Sequence, residues 1–202
     1  MPDATYQPKV YREQGGDRQV VASGGALDIE SGGEIDIESG GSLKLAGTAL
    51  TATAAEINRA ADTSARIVNL TAATLAITEA LHDDKTITVN KADGSTLTLP
   101  AATGGGERFR IVVGTTITSV GLVISPTGND TMFGSIFGAQ DGGASVEAWE
   151  AAAGNNTITL DGSTKGGLKG DIIELEDIAT DVWRVLGHIQ QTGVQVTPFS
   201  TV

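Results

Sequence analysis

Cysteine is absent from this 202-residue chain, which excludes disulfides and thiolate-bound metal. Aromatic residues make up only 4%, so a core has to be built from Val, Ile, Leu and Ala. Histidine occurs twice, at His82 and His188. The two are far apart and outside any H-x-x-x-H or H-E-x-x-H spacing, so no zinc or non-haem iron ligand set is expected. No apolar run approaches the ~18 residues of a membrane helix. The opening stretch, MPDATYQPKVYREQGG, lacks the apolar core of a signal peptide, and a chain made and first kept in a cytoplasm is expected. A basic stripe is missing too: 13 Lys and Arg stand against 25 Asp and Glu, a net charge of −12. The densest basic group is Arg108 and Arg110 on either side of Phe109, which is too little for a nucleic-acid surface. Neither nucleic acid nor membrane is expected as a partner.

What the chain does have is glycine, 27 residues, about twice the average frequency of ~7%, and a repeat. Residues 23–46 read SGGALDIE, SGGEIDIE, SGGSLKLA, a period of eight. Each copy is a Ser-Gly-Gly turn followed by apolar residues two apart: Leu27 and Ile29, Ile35 and Ile37, Leu43 and Leu45. Alternation with period two puts each pair on one face of a short strand. Three octads amount to about one coil of a solenoid, with no second coil to stack on, and isolated short strands are not stable in water. The economical solution is association with other copies. A threefold arrangement lets these six side chains meet near a shared axis, so a homotrimer is expected ahead of a dimer, with all six at its interface. Asp28, Glu30, Asp36 and Glu38 form an acidic stripe on the other face. It lacks a calcium-loop pattern and reads as a solvated face.

The remaining boundaries follow from composition. Residues 1–22 are a polar arm broken by Pro2, Pro8 and Gly15-Gly16, either a disordered tail or an arm that orders on a partner. Residues 18–22 read as a first strand. Residues 48–84 read as a short helical neck or compact linker. Within it, Thr53 and Glu56 have capping-box spacing ahead of a helix over 54–61, Asp62, Thr63 and Ser64 break that helix, and Leu75, Ile77 and Leu81 recur at roughly helical spacing over 72–81. Residues 85–191 carry eight strand-like runs, at 86–90, 96–99, 109–113, 122–125, 146–149, 157–160, 171–176 and 182–190. Gly- and Asn-rich turns separate them, the pattern of an antiparallel β-sandwich or jelly roll. Residues 192–202 read as a polar surface tail.

Chemistry has little to build on. Gly104-Gly105-Gly106 lacks the spacing and the lysine of a phosphate loop. Ser135, in FGSIFG, lacks the nucleophile-elbow pattern. The pairs Glu147 and Glu150, or Glu174 and Glu176, are expected by chance among 25 acidic residues. No catalytic, metal-binding or cofactor-binding residue is expected, no cofactor, and no enzyme. Trp149 and Trp183 read as core anchors. Phe133 and Phe137, in MFGSIFG, read as core or, on the sharper view, as an exposed contact loop.

Several phrases resemble known proteins. VYREQGGDRQVVASGG, the SGG repeats and GTALTATAAEIN look like tailed-bacteriophage virion proteins. ITVNKADGSTLTLPAATGGGERFRIVVGT and ITLDGSTKGGLKGDIIELEDIATDVWRVLGH, with TPFS near the end, are similar to small phage structural proteins of the capsid-decoration, cement or head-fibre kind. The resemblance spans most of the chain. It implies a homotrimer on the capsid exterior, without catalysis, bound to the major capsid protein and stabilising it. Either end could anchor the molecule, and the N-terminal arm with its octads is favoured. The alternative it leaves is a tail-fibre or receptor-binding protein that recognises a host surface glycan.

Overall fold

Alternating aliphatic and Thr/Ser residues, punctuated by glycine, yield a mainly β protein. A computed structural model describes residues 9–12, 15, 16, 18–61, 66–143 and 145–201. The chain forms two compact units, 1–53 and 54–202. Half of the arm over 1–22, and the helix break at Asp62, Thr63 and Ser64, lie outside the described residues.

The first unit holds two small hairpins. Strand β1 (Val10–Arg12) pairs antiparallel with β2 (Gln19–Val21), and β3 (Lys44–Leu45) pairs with β4 (Thr48–Ala49). Between them the first two octads turn regularly but form no ladder, while the third runs into β3 and pairs with β4 just beyond it.

The second unit begins with α1 (Ala54–Ala61), the eight residues read as helix from the sequence. The chain then alternates between two sheets. Strands β5 (Ile67–Leu70), β7 (Lys85–Val89) and β9 (Arg108–Val113) lie side by side, all parallel, in one sheet. Strands β6 (Thr74–Ala76), β8 (Thr96–Leu99) and β10 (Leu122–Pro126) do the same in the other. Residues 67–126 therefore form three stacked coils. Aliphatic ladders run through them: Leu70, Val89 and Val113 in one sheet, Leu75, Leu97 and Ile124 in the other.

Later strands extend both sheets: β11 (Thr131–Gln140), β12 (Val146–Glu150), β13 (Thr157–Leu160), β14 (Ile172–Ala179), β15 (Val182–Gln191) and β16 (Phe199–Ser200). The large sheet has the order β12-β11-β15-β14-β9-β7-β5 and the small one β16-β13-β10-β8-β6. Both send side chains into one core. Ile87, Leu97, Leu99, Leu122, Ile124 and Ile158 are completely buried there, each worth roughly 2 kcal/mol in transfer terms.

Three expectations are corrected. The sheets are mixed and not antiparallel, because β5–β10 coil between layers and β11 pairs parallel with β15. The stretch 72–81 is not one helix: Thr74–Ala76 is strand β6, and only Glu79–His82, α2, is helical. Leu75 faces the ladder of Leu97, so tertiary stacking overrides the alanine-rich local preference. Finally, residues 192–201 are a surface tail only at first: Val194 is exposed, but the chain then turns inward. Phe199 is buried, and β16 pairs with β13.

That last segment is held by Gln191, whose side-chain amide is fully engaged. Its Nε2 donates to the carbonyls of Thr164 (2.5 Å) and Val196 (2.7 Å), while its Oε1 accepts from Trp149 Nε1 (3.1 Å) and Gln195 Nε2 (3.2 Å). Gly138 leaves the room, since a Cβ there would overlap Gln191 Oε1.

Candidate assembly surfaces

The octads repeat in conformation as well as in sequence. In each, the amide of the second glycine bonds back three residues: Gly25 to Ala22 (2.8 Å), Gly33 to Glu30 (2.9 Å) and Gly41 to Glu38 (2.9 Å). The first glycine of each pair has φ of +75°, +86° or +88°, a left-handed backbone that glycine adopts without steric cost. The second glycine is needed for space: a Cβ on Gly33 would stand 3.0 Å from Ile29 Cγ2, and one on Gly41 2.6 Å from Ile37 Cγ2. All six octad side chains stay open in the single chain, Leu27 at 64% and Ile35 at 65%, Ile29 at 42% and Ile37 at 45%. Leu43 and Leu45 are likewise exposed, and of the six only Leu45 lies in a strand. Asp28, Glu30, Asp36 and Glu38 are also exposed, and no group of three or more metal-ligating side chains occurs among the described residues.

Phe133 and Phe137 are not on a loop. They belong to the ten-residue strand β11, and both are exposed, Phe137 stacking on His188 with ring centroids 5.8 Å apart. The glycines at Gly134 and Gly138 make the segment resemble a loop, but they face the interior, where Val185 and Gln191 press against them.

The outer face of the large sheet also carries charge. Glu176 accepts from Arg108 Nη2 (2.7 Å) and Arg184 Nη1 (3.1 Å), and Glu174 lies 3.5 Å from Arg110. The hydrogen bond from Arg108 holds the Glu176 carboxyl below its usual range. A shallow cavity of about 390 Å³ lies over these groups, and a second of about 330 Å³ beside Phe137, Val146 and His188. The Glu174 and Glu176 pair is thus part of a charge ladder.

The other residues singled out in the sequence have structural roles. The amides of Gly104-Gly105-Gly106 do form a cradle, and the chain fills it itself: the buried Asp177 carboxylate accepts from Thr103 N (2.7 Å), Gly104 N (2.7 Å) and Gly105 N (3.4 Å). His82 is buried, its Nδ1 accepting from Thr78 N (3.0 Å). Trp183 is buried against Phe109, while Trp149 packs on the core rim and bonds Gln191. Ser135 faces Leu186 and Glu150 in register, neither a histidine. No helix among the described residues is long and apolar enough to cross a membrane.

Asp171 was not anticipated. Its buried carboxylate accepts from Gly167 N (2.7 Å), Leu168 N (3.1 Å) and Gln190 N (2.9 Å). Burial outweighs these donors and pushes its carboxyl up to about 6. A carboxyl whose folded-state value is raised favours folding most below its unfolded value and loses that contribution as pH rises to the folded value. The Asp171 contribution is therefore expected to fall by about 2 kcal/mol between pH 4 and 6. Urea midpoints at stepped pH should show that slope in the wild type and a flatter one in Asp171→Asn.

Comparison with protein-family models, with curated proteins and with solved structures finds no match to this chain. The functional reading therefore rests on its own residues.

Proposed function

We propose that the chain is a non-catalytic structural component of a tailed-phage virion, sitting on the capsid exterior as a homotrimer and stabilising it through the major capsid protein. One observation carries the assembly part: six apolar side chains at strict spacing stand open to solvent on a segment whose first two octads build no ladder alone. Burying that many aliphatic groups is worth several kcal/mol per chain, and only added strands offer a place for them. The virion part rests on the likeness of VYREQGGDRQVVASGG, GTALTATAAEIN and the C-terminal phrases to phage structural proteins. Capsid binding works by multivalency. Three arms fixed on one trimer rebind as a unit, so weak single contacts add up to firm attachment.

Sedimentation of the full chain at micromolar concentration should give three times 20.6 kDa. A double change, Ile35→Asp with Ile37→Asp, should lower the association constant at least ~100-fold, about 3 kcal/mol, without altering the unfolding of residues 54–202. A wild-type monomer contradicts the trimer. A map of intact particles with this density at the tail tip in a few copies contradicts the decoration role and favours the receptor-binding one.

A further inference from the structure

The two sheets of the second unit have outer faces of different character. On the small sheet, outward positions are mostly hydroxylic, Thr96 and Thr98 on β8, Ser125 on β10, Thr159 on β13 and Ser200 on β16, with Val123 on β10 the large aliphatic among them. The large sheet is dressed otherwise. Register places Phe137, His188, Ile172, Val112 and Thr88 in one row across five strands. The next row runs Ser135, Leu186, Glu174, Arg110, and the one beyond it Phe133, Arg184, Glu176, Arg108. Phe133 is 48% and Phe137 39% exposed, the only phenylalanines so placed among the described residues. One chain folding one core has thus left one face small and hydroxylic and the other a mixture of exposed phenylalanine, aliphatics and paired charges.

We infer that this large-sheet face is a second self-association surface, packing against the same face of other copies around the threefold axis. The inference rests on the trimer proposed above and adds the C-terminal unit to it. Charge selects the occupant. The rows alternate in sign, Arg184, Glu176, Arg108 and then Glu174, Arg110, so a copy of the face offset by one strand brings arginine over glutamate. A membrane or a nucleic acid, with one sign of charge, finds no such match. Relief agrees: two phenylalanine knobs stand on the same face as two shallow hollows of about 390 and 330 Å³. Five strands by three rows cover roughly 500 Å² in projection. Side-chain relief raises this toward the ~800 Å² that one partner contributes to a standard interface.

The test uses the full-length chain. Phe137→Glu with Ile172→Glu should lower the trimer association constant at least tenfold by sedimentation, with the urea midpoint of the dissociated chain within error of wild type. Thr98→Glu on the small sheet should leave association unchanged. Because the chain has no cysteine, Phe137→Cys and Thr98→Cys each carry a single thiol. At assembling concentration Phe137→Cys should react with a maleimide at least tenfold more slowly than Thr98→Cys, and the difference should vanish on dilution. A trimer that survives the double change and labels both thiols alike overturns this inference and leaves the octad reading standing. A wild-type monomer overturns both. Protection of Phe137→Cys only on intact particles overturns it in favour of the capsid as the occupant.

Discussion

Replacing Asp177 with alanine is expected to destabilise residues 54–202 by about 4 kcal/mol, a fall in midpoint of roughly 10 °C for a unit of this size. The carboxylate is 1% exposed and accepts from three successive backbone amides and the Thr103 hydroxyl. Hydrogen bonds to a charged group contribute about 1.5–3 kcal/mol each, and two of these are short. Removing the acceptor frees the loop over 101–106 and leaves its amides to water, which limits the loss. Asp177→Asn should fall between, near 2 kcal/mol, because one oxygen still accepts while the new amide group faces donors. Thermal or urea unfolding of the three proteins checks the order. An alanine variant within 1 kcal/mol of wild type would mean that the cradle closes without its carboxylate.

Trp183 should separate size from polarity. It is completely buried, its ring 5.6 Å from that of Phe109, and its Nε1 has no hydrogen-bond partner. Truncation to alanine opens a large cavity at a cost of about 4 kcal/mol. Trp183→Phe loses part of the ring but also removes an N–H buried without an acceptor, a burden of roughly 1–3 kcal/mol. The net change should stay within about 1 kcal/mol. Urea midpoints decide it, with Trp149 as the remaining fluorophore. A phenylalanine variant as unstable as alanine would refute the idea that the indole N–H is a liability.

Strands with clean alternation were legible from sequence. Residues 96–99 and 157–160 become β8 and β13 with the same bounds, and 182–190 becomes β15 with one residue added. The Ser-Gly-Gly turns were equally plain, because glycine's conformational need is local. What escaped was set by distant neighbours. β11 was hidden by Gly134 and Gly138, which serve close approach to β15 and not flexibility. β6 was hidden by alanines at helical spacing, and its strand state depends on Leu97 lying alongside. β16 is two residues long and exists because β13 offers an edge. Parallel coiling could not be read at all, since alternation gives the faces of a strand and not the direction of its neighbour. For the assembly surfaces, the octads announced themselves by repetition. The large-sheet face did not, because its rows gather residues from five strands spread over 100 positions.

The three coils of residues 67–126 have one more consequence. Each adds one strand to both sheets at once and hands its aliphatic ladder to the next, so each is complete in itself apart from its neighbours. Strands of the large sheet begin at 67, 85 and 108, and the excess length lies in the connecting loops. Such a stack is a ruler. Duplicating one coil in the gene lengthens the body by about 4.8 Å without a new core having to be invented, so reach can be adjusted in steps while the ends stay as they are.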